Sequence, residues 1–328
     1  MIKIEPALER ALDAGRALTG APVHNATQIT GGGNNGVYRL EGADGPYALK
    51  LYRRETSDPR ERLATEVAAH AFFKRQGVGP VAELIAADAK AGAALFTWIE
   101  GEKITAPVRA DMDAAMDFIA TLKNLSRQSD ASNLPLASEA CLSAGELVAQ
   151  ITRRHAKLSL VGDEELNLFL SDAFQPVFAA LARAALPEAD LAMQFRTLSP
   201  SDFGFHNALK AAGGGITFLD FEYFGWDDPA KLAADTIQHP GMNLAPILRH
   251  YAARKFHEIF AGDPDFTRRL SRSLPLYGLR WCMILLNVYL RDCGSIAANN
   301  EQKRAQLQKA QDMLARAQTL NEEDVHGA

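Results

Sequence analysis

The chain has 328 residues, 47% hydrophobic and 23% charged, enough apolar material for one large domain or two lobes. A formal net charge of −5 excludes any general attraction to nucleic acid or to an acidic membrane surface. Cys141, Cys282 and Cys293 are too few and too scattered for a disulfide framework, and no CxxC or Cys/His metal spacing occurs.

From the start, Met1 to Leu18 reads as an amphipathic helix, not a signal peptide. Three strands follow, at 26–30, 37–40 and 47–52. The first two are joined by Gly31-Gly32-Gly33-Asn34-Asn35-Gly36, the second and third by the hairpin signal Gly42-Ala43-Asp44-Gly45-Pro46. Asp58-Pro59-Arg60-Glu61 reads as a helix start, with Asp58 as N-cap and Glu61 closing a capping box, and the helix stops at Gly77. A further strand is expected at 94–99, ended by Glu100-Gly101. Beyond residue 110 the period turns helical. Helices are expected near 111–126, 144–155, 164–185, 230–235, 245–260, 265–291 and 301–320, with a short β insertion at 207–210 and 216–220. The apolar stretch Trp281–Leu290 is too short to span a bilayer, and a cytoplasmic protein is expected. The fold class is α+β with a bilobal protein-kinase-like outline: an antiparallel β lobe over 1–101 and a helical lobe over 102–328.

Several residues could carry chemistry. Gly31, Gly33 and Gly36 fit G-x-G-x-x-G between two strands, so backbone N–H groups could approach phosphate oxygens there. A strand follows this loop and not a helix, so it is no dinucleotide fingerprint, and the chain has no Gly-Lys-Ser/Thr. Strand alternation puts Ala48, Lys50 and Tyr52 on one face and Tyr47, Leu49 and Leu51 on the other. Lys50 is either a phosphate-pairing cation or a surface lysine. Glu66 borders the inward stripe Leu63, Val67 and His70, where a half-buried acid wants a cation, and Lys50 is the natural one. Asp202 follows Pro200 in a loop, Asn207 comes five residues later, and Asp220 ends the hairpin. An Asp that orients a hydroxyl, with an Asn and a second Asp placed to share Mg²⁺, is an arrangement suited to phosphoryl transfer. Glu222 is either a second acidic neighbour of that metal or a solvated carboxylate. His206 reads as packing beside Phe205, and Asp228-Pro229 as a helix cap.

With these segments in place, the chain resembles the aminoglycoside phosphotransferase and choline kinase-like family, from about Gly31 to Asp235. Gly32-Gly33-Asn34-Asn35-Gly36-Val37 is similar to its nucleotide loop, Tyr47-Ala48-Leu49-Lys50 to its lysine strand, and Phe96-Thr97-Trp98-Ile99-Glu100-Gly101 to its linker between lobes. The resemblance implies that Gly32, Gly33, Asn34, Asn35, Val37, Ala48, Lys50, Glu66, Trp98 and Ile99 form the ATP site. It further implies Asp202 as catalytic base and Asn207 and Asp220 as Mg²⁺ ligands. Pro200-Ser201 replaces the family's usual His-Gly, and Lys231 stands where an acid is often seen. The expected activity is transfer of the γ-phosphoryl group of ATP to a hydroxyl of a small polar molecule. The acceptor is a sugar, amino sugar or amino alcohol and not a polycation, because residues 221–328 hold 13 Lys+Arg against 13 Asp+Glu. The rival reading is a nucleotide-binding pseudokinase that regulates a partner.

Overall fold

The computed structural model describes residues 6–29, 35–53, 60–185, 190–290, 299–320, 325 and 327. In chain order the main elements are α1 (Pro6–Thr19), β1 (Val23–Ile29), β2 (Asn35–Gly42), β3 (Gly45–Tyr52), α2 (Arg62–Gln76), β4 (Leu84–Asp88), β5 (Ala93–Thr97), β6 (Glu102–Lys103) and α3 (Arg109–Leu125). Then come α4 (Ala144–Leu158), α5 (Glu164–Leu168), a π-helical turn (Phe169–Phe174), α6 (Gln175–Ala184), β7 (Thr197–Ser199), β8 (Ala208–Lys210), β9 (Ile216–Phe218) and β10 (Gly225–Asp227). The chain ends in α7 (Pro229–Gln238), α8 (Pro246–Ile259), α9 (Phe266–Leu285) and α10 (Asn300–Thr319). Contacts divide it into two units. One comprises 1–105, 121–138 and 198–226, and the other 106–120, 139–197 and 227–328.

The first unit is built on an antiparallel sheet in the order β1-β2-β3-β5-β4. Alternation along β3 divides its faces as the sequence suggests. Leu49 and Leu51 join Leu40, Tyr38 and Leu95 in a core closed by Ala11 and Ala14 of α1. Ala48 and Tyr52 face the other way, with Phe96, Ala82 and Leu219. Cross-strand register sets Val37 and Ala94 on either side of Lys50, so the lysine stands mid-sheet and not at a frayed end. The strand β4 was not foreseen. Its sequence Leu-Ile-Ala-Ala-Asp has weak alternation, and it pairs with β5 through a register shift.

Helix α2 begins at Arg62 with Glu61 as an N-cap that makes no side-chain capping bond, so Glu61 is not the third helical residue that the expected capping box requires. Asp58 and Pro59 lie outside the described residues. The helix does stop at Gly77, whose φ of 67° is the left-handed conformation that glycine adopts at little cost. In the small sheet β6-β8-β9, the linker runs tight against β8: a Cβ on Gly101 would lie 3.0 Å from the carbonyl oxygen of Lys210.

The second unit is helical. The expected single helix at 164–185 is α5 and α6 joined through the π turn, and α7 carries the cap foreseen at Asp228, whose carboxylate accepts from the amide of Ala230 at 2.8 Å. The stretch Phe266–Leu290 is long and apolar enough by composition to cross a membrane. More than half of its most apolar window (56%) is buried inside the protein.

Candidate active site

The first unit holds a buried ion cluster around Lys50. Its ammonium lies 2.7 Å from Oε2 of Glu66, 2.7 Å from Oδ1 of Asp220 and 3.1 Å from Oε2 of Glu222. Three carboxyl groups therefore face one ammonium. Burial opposes the lysine's charge, but Glu66 and Asp220 outweigh it, and the ammonium is held well above its usual range. Burial pushes Glu66 upward against the pull of Lys50.

Glu66 is more central than the sequence suggests. It is 2% exposed and lies in the middle of the buried face of α2, whereas Leu63 and Val67 are only half-buried. A carboxylate so buried must be satisfied. Tyr52 donates its hydroxyl to Oε2, and the amide of Phe221 donates to Oε1 at 3.2 Å. The second bond ties α2 to the segment that follows Asp220. Phe221 itself is wedged against Phe73 and His70 of α2, with ring centroids 4.8 and 5.5 Å away. One helix thus braces the lysine and fixes the acid after β9. Burial, and then the charge of Lys50, lower His70 to about 4.

Asp220 has φ of 65°, a conformation that Asp tolerates better than most residues and that turns its carboxyl toward Lys50. The hairpin places Asn207 and Asp220 near each other through the bond from the Leu219 amide to the carbonyl of Asn207, at 2.8 Å. Asn207 spends its amide nitrogen on the carbonyl of Asp202, at 3.0 Å, and its side-chain oxygen takes no part in that bond. Asp202 is partly exposed, and Oδ1 lies 3.1 Å from Nε2 of His206. His206 was read as packing. It is exposed and bonds the carboxylate four residues before it, while Phe205 is buried.

Serine side chains brace the loop at Pro200-Ser201. Ser201, at φ of 66°, donates its hydroxyl to the carbonyl of Ser138 at 2.7 Å and its amide to Oγ of Ser199 at 3.0 Å. Glu222 is 2% exposed, so the solvated reading is overturned. Asn35 donates its side-chain amide to it, tying the start of β2 to the acidic cluster.

Gly32, Gly33 and Asn34 lie outside the described residues. Ala48, Ile99 and Leu219 are partly buried around the Phe96 cluster and form an apolar surface. Trp98 turns elsewhere, beneath the guanidinium of Arg39 at 4.8 Å, with its indole N–H on Glu100 at 2.8 Å. Lys50, Glu66, Asp220 and Asn35 are thus brought into one cluster, with Asn207 and Asp202 joined to it through the hairpin. Sequence reasoning missed the part of Tyr52, although alternation had put it on the face of Lys50.

An antiparallel sheet followed by a helical part, with this lysine and these acids, defines the protein-kinase-like fold class. Residues 25–268 match the model of the phosphotransferase enzyme family, and the chain belongs to that family of enzymes. No curated protein sequence matches it. Among solved structures it is similar to a spectinomycin phosphotransferase determined with ADP and spectinomycin, at 13% identity and a TM-score of 0.62, covering 99% of this chain and 97% of that one. A choline kinase from Streptococcus pneumoniae is similar at 14% identity and a TM-score of 0.58, covering 94% and 99%. An ethanolamine kinase of Plasmodium vivax is similar at 13% identity and a TM-score of 0.56, covering 90% and 82%.

Proposed function

We propose that this phosphotransferase moves the γ-phosphoryl group of ATP to a hydroxyl of a small polar molecule (a sugar, amino sugar or amino alcohol) in the cytoplasm. In this reading residues 1–101 form the nucleotide lobe and 102–328 the substrate lobe. The observation that carries it is the convergence of Glu66, Asp220 and Glu222 on Lys50.

The acidic cluster also fits a divalent cation. Carboxylate oxygens of Glu66, Asp220 and Glu222 lie within 4.8 Å of one another, one ammonium offsets three carboxyl groups, and Oδ1 of Asn35 is buried with no hydrogen-bond partner. Hard oxygen donors of this kind suit Mg²⁺, which Asn207 and Asp220 would hold and which would neutralise phosphate charge. Lys50, braced by Glu66, binds phosphate oxygens. This reading assigns Gly32, Gly33, Asn34 and Asn35 to the phosphates, and Val37, Ala48, Ile99 and the backbone at Trp98 to the base. Asp202 orients the acceptor hydroxyl and takes its proton as the oxygen attacks phosphorus. The chain contributes mainly positioning and charge neutralisation. Similar structures determined with ADP or AMP support a nucleotide as donor.

ADP release across a panel of sugars and amino alcohols identifies the acceptor. Asp202→Ala should abolish transfer while ATP still binds. Transfer retained in that variant rejects the role of Asp202. Absence of Mg²⁺-dependent ATP turnover with every acceptor favours a regulatory pseudokinase.

A further inference from the structure

The second unit contains a cavity of about 480 Å³, and every residue that lines it belongs to that unit. Lys50, Asp202, Asn207 and Asp220 are not among them. Its size is that of a small-molecule site.

Three helix starts meet at its rim. Ser143 caps α4, Asp228 caps α7 and Asp265 stands at the N-cap of α9. The first two use their side chains on helix amides, Ser143 on Glu146 and Asp228 on Ala230. Asp265 makes no capping bond and turns its carboxylate to Nε of Arg268, at 3.0 Å. The first turns of α9 carry Arg268, Arg269 and Arg272, cations at the end of a helix that already favours anions. Arg269 is fully engaged by two acids: Nε and one amino group bond Asp228, and both amino groups bond Asp263. Asp190 adds an exposed carboxylate. The rim thus offers charges of both signs close together. A ligand of one sign would set part of this rim against a like charge, and a zwitterion satisfies both.

The walls are apolar, formed by Leu142, Leu147, Leu191, Phe195 and Leu276. The far end is Tyr277, which is 3% exposed. Among the described residues its hydroxyl has no hydrogen-bond partner, and it is not one of the fully buried polar atoms left unpaired, so it keeps some accessible surface. Burial pushes that hydroxyl well above its usual range, so it remains a donor. From Arg269 to Tyr277 is two turns of α9, about 12 Å of rise.

The geometry points to a second small-molecule site here, for a zwitterion with an apolar body and a hydrogen-bonding group at its far end: the class of a free α-amino acid with a long side chain. The zwitterionic head sits among Asp190, Arg268 and Arg272, the body lies along the leucines, and the distal group meets the hydroxyl of Tyr277. The inference does not rest on phosphotransfer.

Saturation-transfer NMR with L-tyrosine and L-phenylalanine on the full chain tests it, with tyramine and 3-(4-hydroxyphenyl)propionate as the single-charge arms. Both amino acids should bind, L-tyrosine about threefold to tenfold more tightly, the worth of one hydrogen bond. Tyr277→Phe should erase that difference and leave L-phenylalanine binding unchanged, a coupling that a loss of fold cannot imitate. Ala192→Trp, at an exposed lining position, should block both ligands. The inference is overturned if no amino acid binds, if either single-charge compound binds as tightly as L-tyrosine, or if the preference for L-tyrosine survives Tyr277→Phe.

Discussion

A buried ion cluster taken from each unit shows what charge balance says about purpose. In the second unit Lys231 lies 2.8 Å from Asp227 and 3.1 Å from Asp235, and Arg280 holds Asp235 through two bonds at 2.7 and 2.8 Å. The indole of Trp281 adds a third donor to Asp235. Two cations meet two carboxylates, and all four residues are almost fully buried. Burial pushes Asp235 up, but Arg280 and Lys231 overcome it and hold the carboxyl below its usual range. This cluster is closed in formal charge, although Oδ2 of Asp227 and Nε of Arg280 make no hydrogen bond of good geometry. Around Lys50 one cation meets three carboxyl groups, and the side chain of Asp220 remains 37% exposed. An imbalance with an open edge suits a site that takes a further cation and a polyanion. An imbalance with no edge would simply be unstable.

The largest difference between the clusters should appear in turnover. Asp220→Asn should lower phosphoryl transfer by about a thousandfold, the scale of losing one preorganised electrostatic group, and should leave thermal stability unchanged or higher because it relieves like-charge crowding. A clear fall in melting temperature would place Asp220 with the structural acids. In the closed cluster the order reverses. Arg280→Met strands Asp235 with Lys231 and should cost about 3–5 kcal/mol in denaturant unfolding; a cost near zero would deny that the closed cluster supports the fold.

A smaller effect concerns acid. With His70 lowered to about 4 in the folded chain, the unfolded chain binds the proton more readily. Stability is therefore full above about pH 6.5 and declines as pH falls toward 4, by up to about 3 kcal/mol. His70→Gln should flatten that part of the pH profile, and an unchanged slope would assign the acid sensitivity elsewhere.

Much of the first unit was legible because its signals are local. The glycines at 42 and 45, the alternation along β3 and the stop at Gly77 depend on short-range geometry. The nearness of Asn207 and Asp220 was legible through spacing, since a hairpin fixes the distance between its ends. What the sequence concealed depends on partners far along the chain. Glu66 was read as half-buried beside Lys50 and not as the centre of its face, because helical periodicity cannot see Tyr52 and the amide of Phe221. Glu222 stayed open between a neighbour of the metal and a solvated carboxylate because nothing local shows Asn35 bonded to it. The capping box at 58–61 matched a motif, yet α2 begins three residues past Pro59, at Arg62, the first residue of its buried face.

The most direct test is calorimetric titration of ATP with and without Mg²⁺, on the unaltered chain and on Asp220→Asn. Tight binding that requires Mg²⁺ in the former and loses that requirement in the latter is the predicted result. Binding that ignores Mg²⁺ in both, or that is equally Mg²⁺-dependent in both, would contradict the assignment of the open cluster as the phosphate-transfer centre.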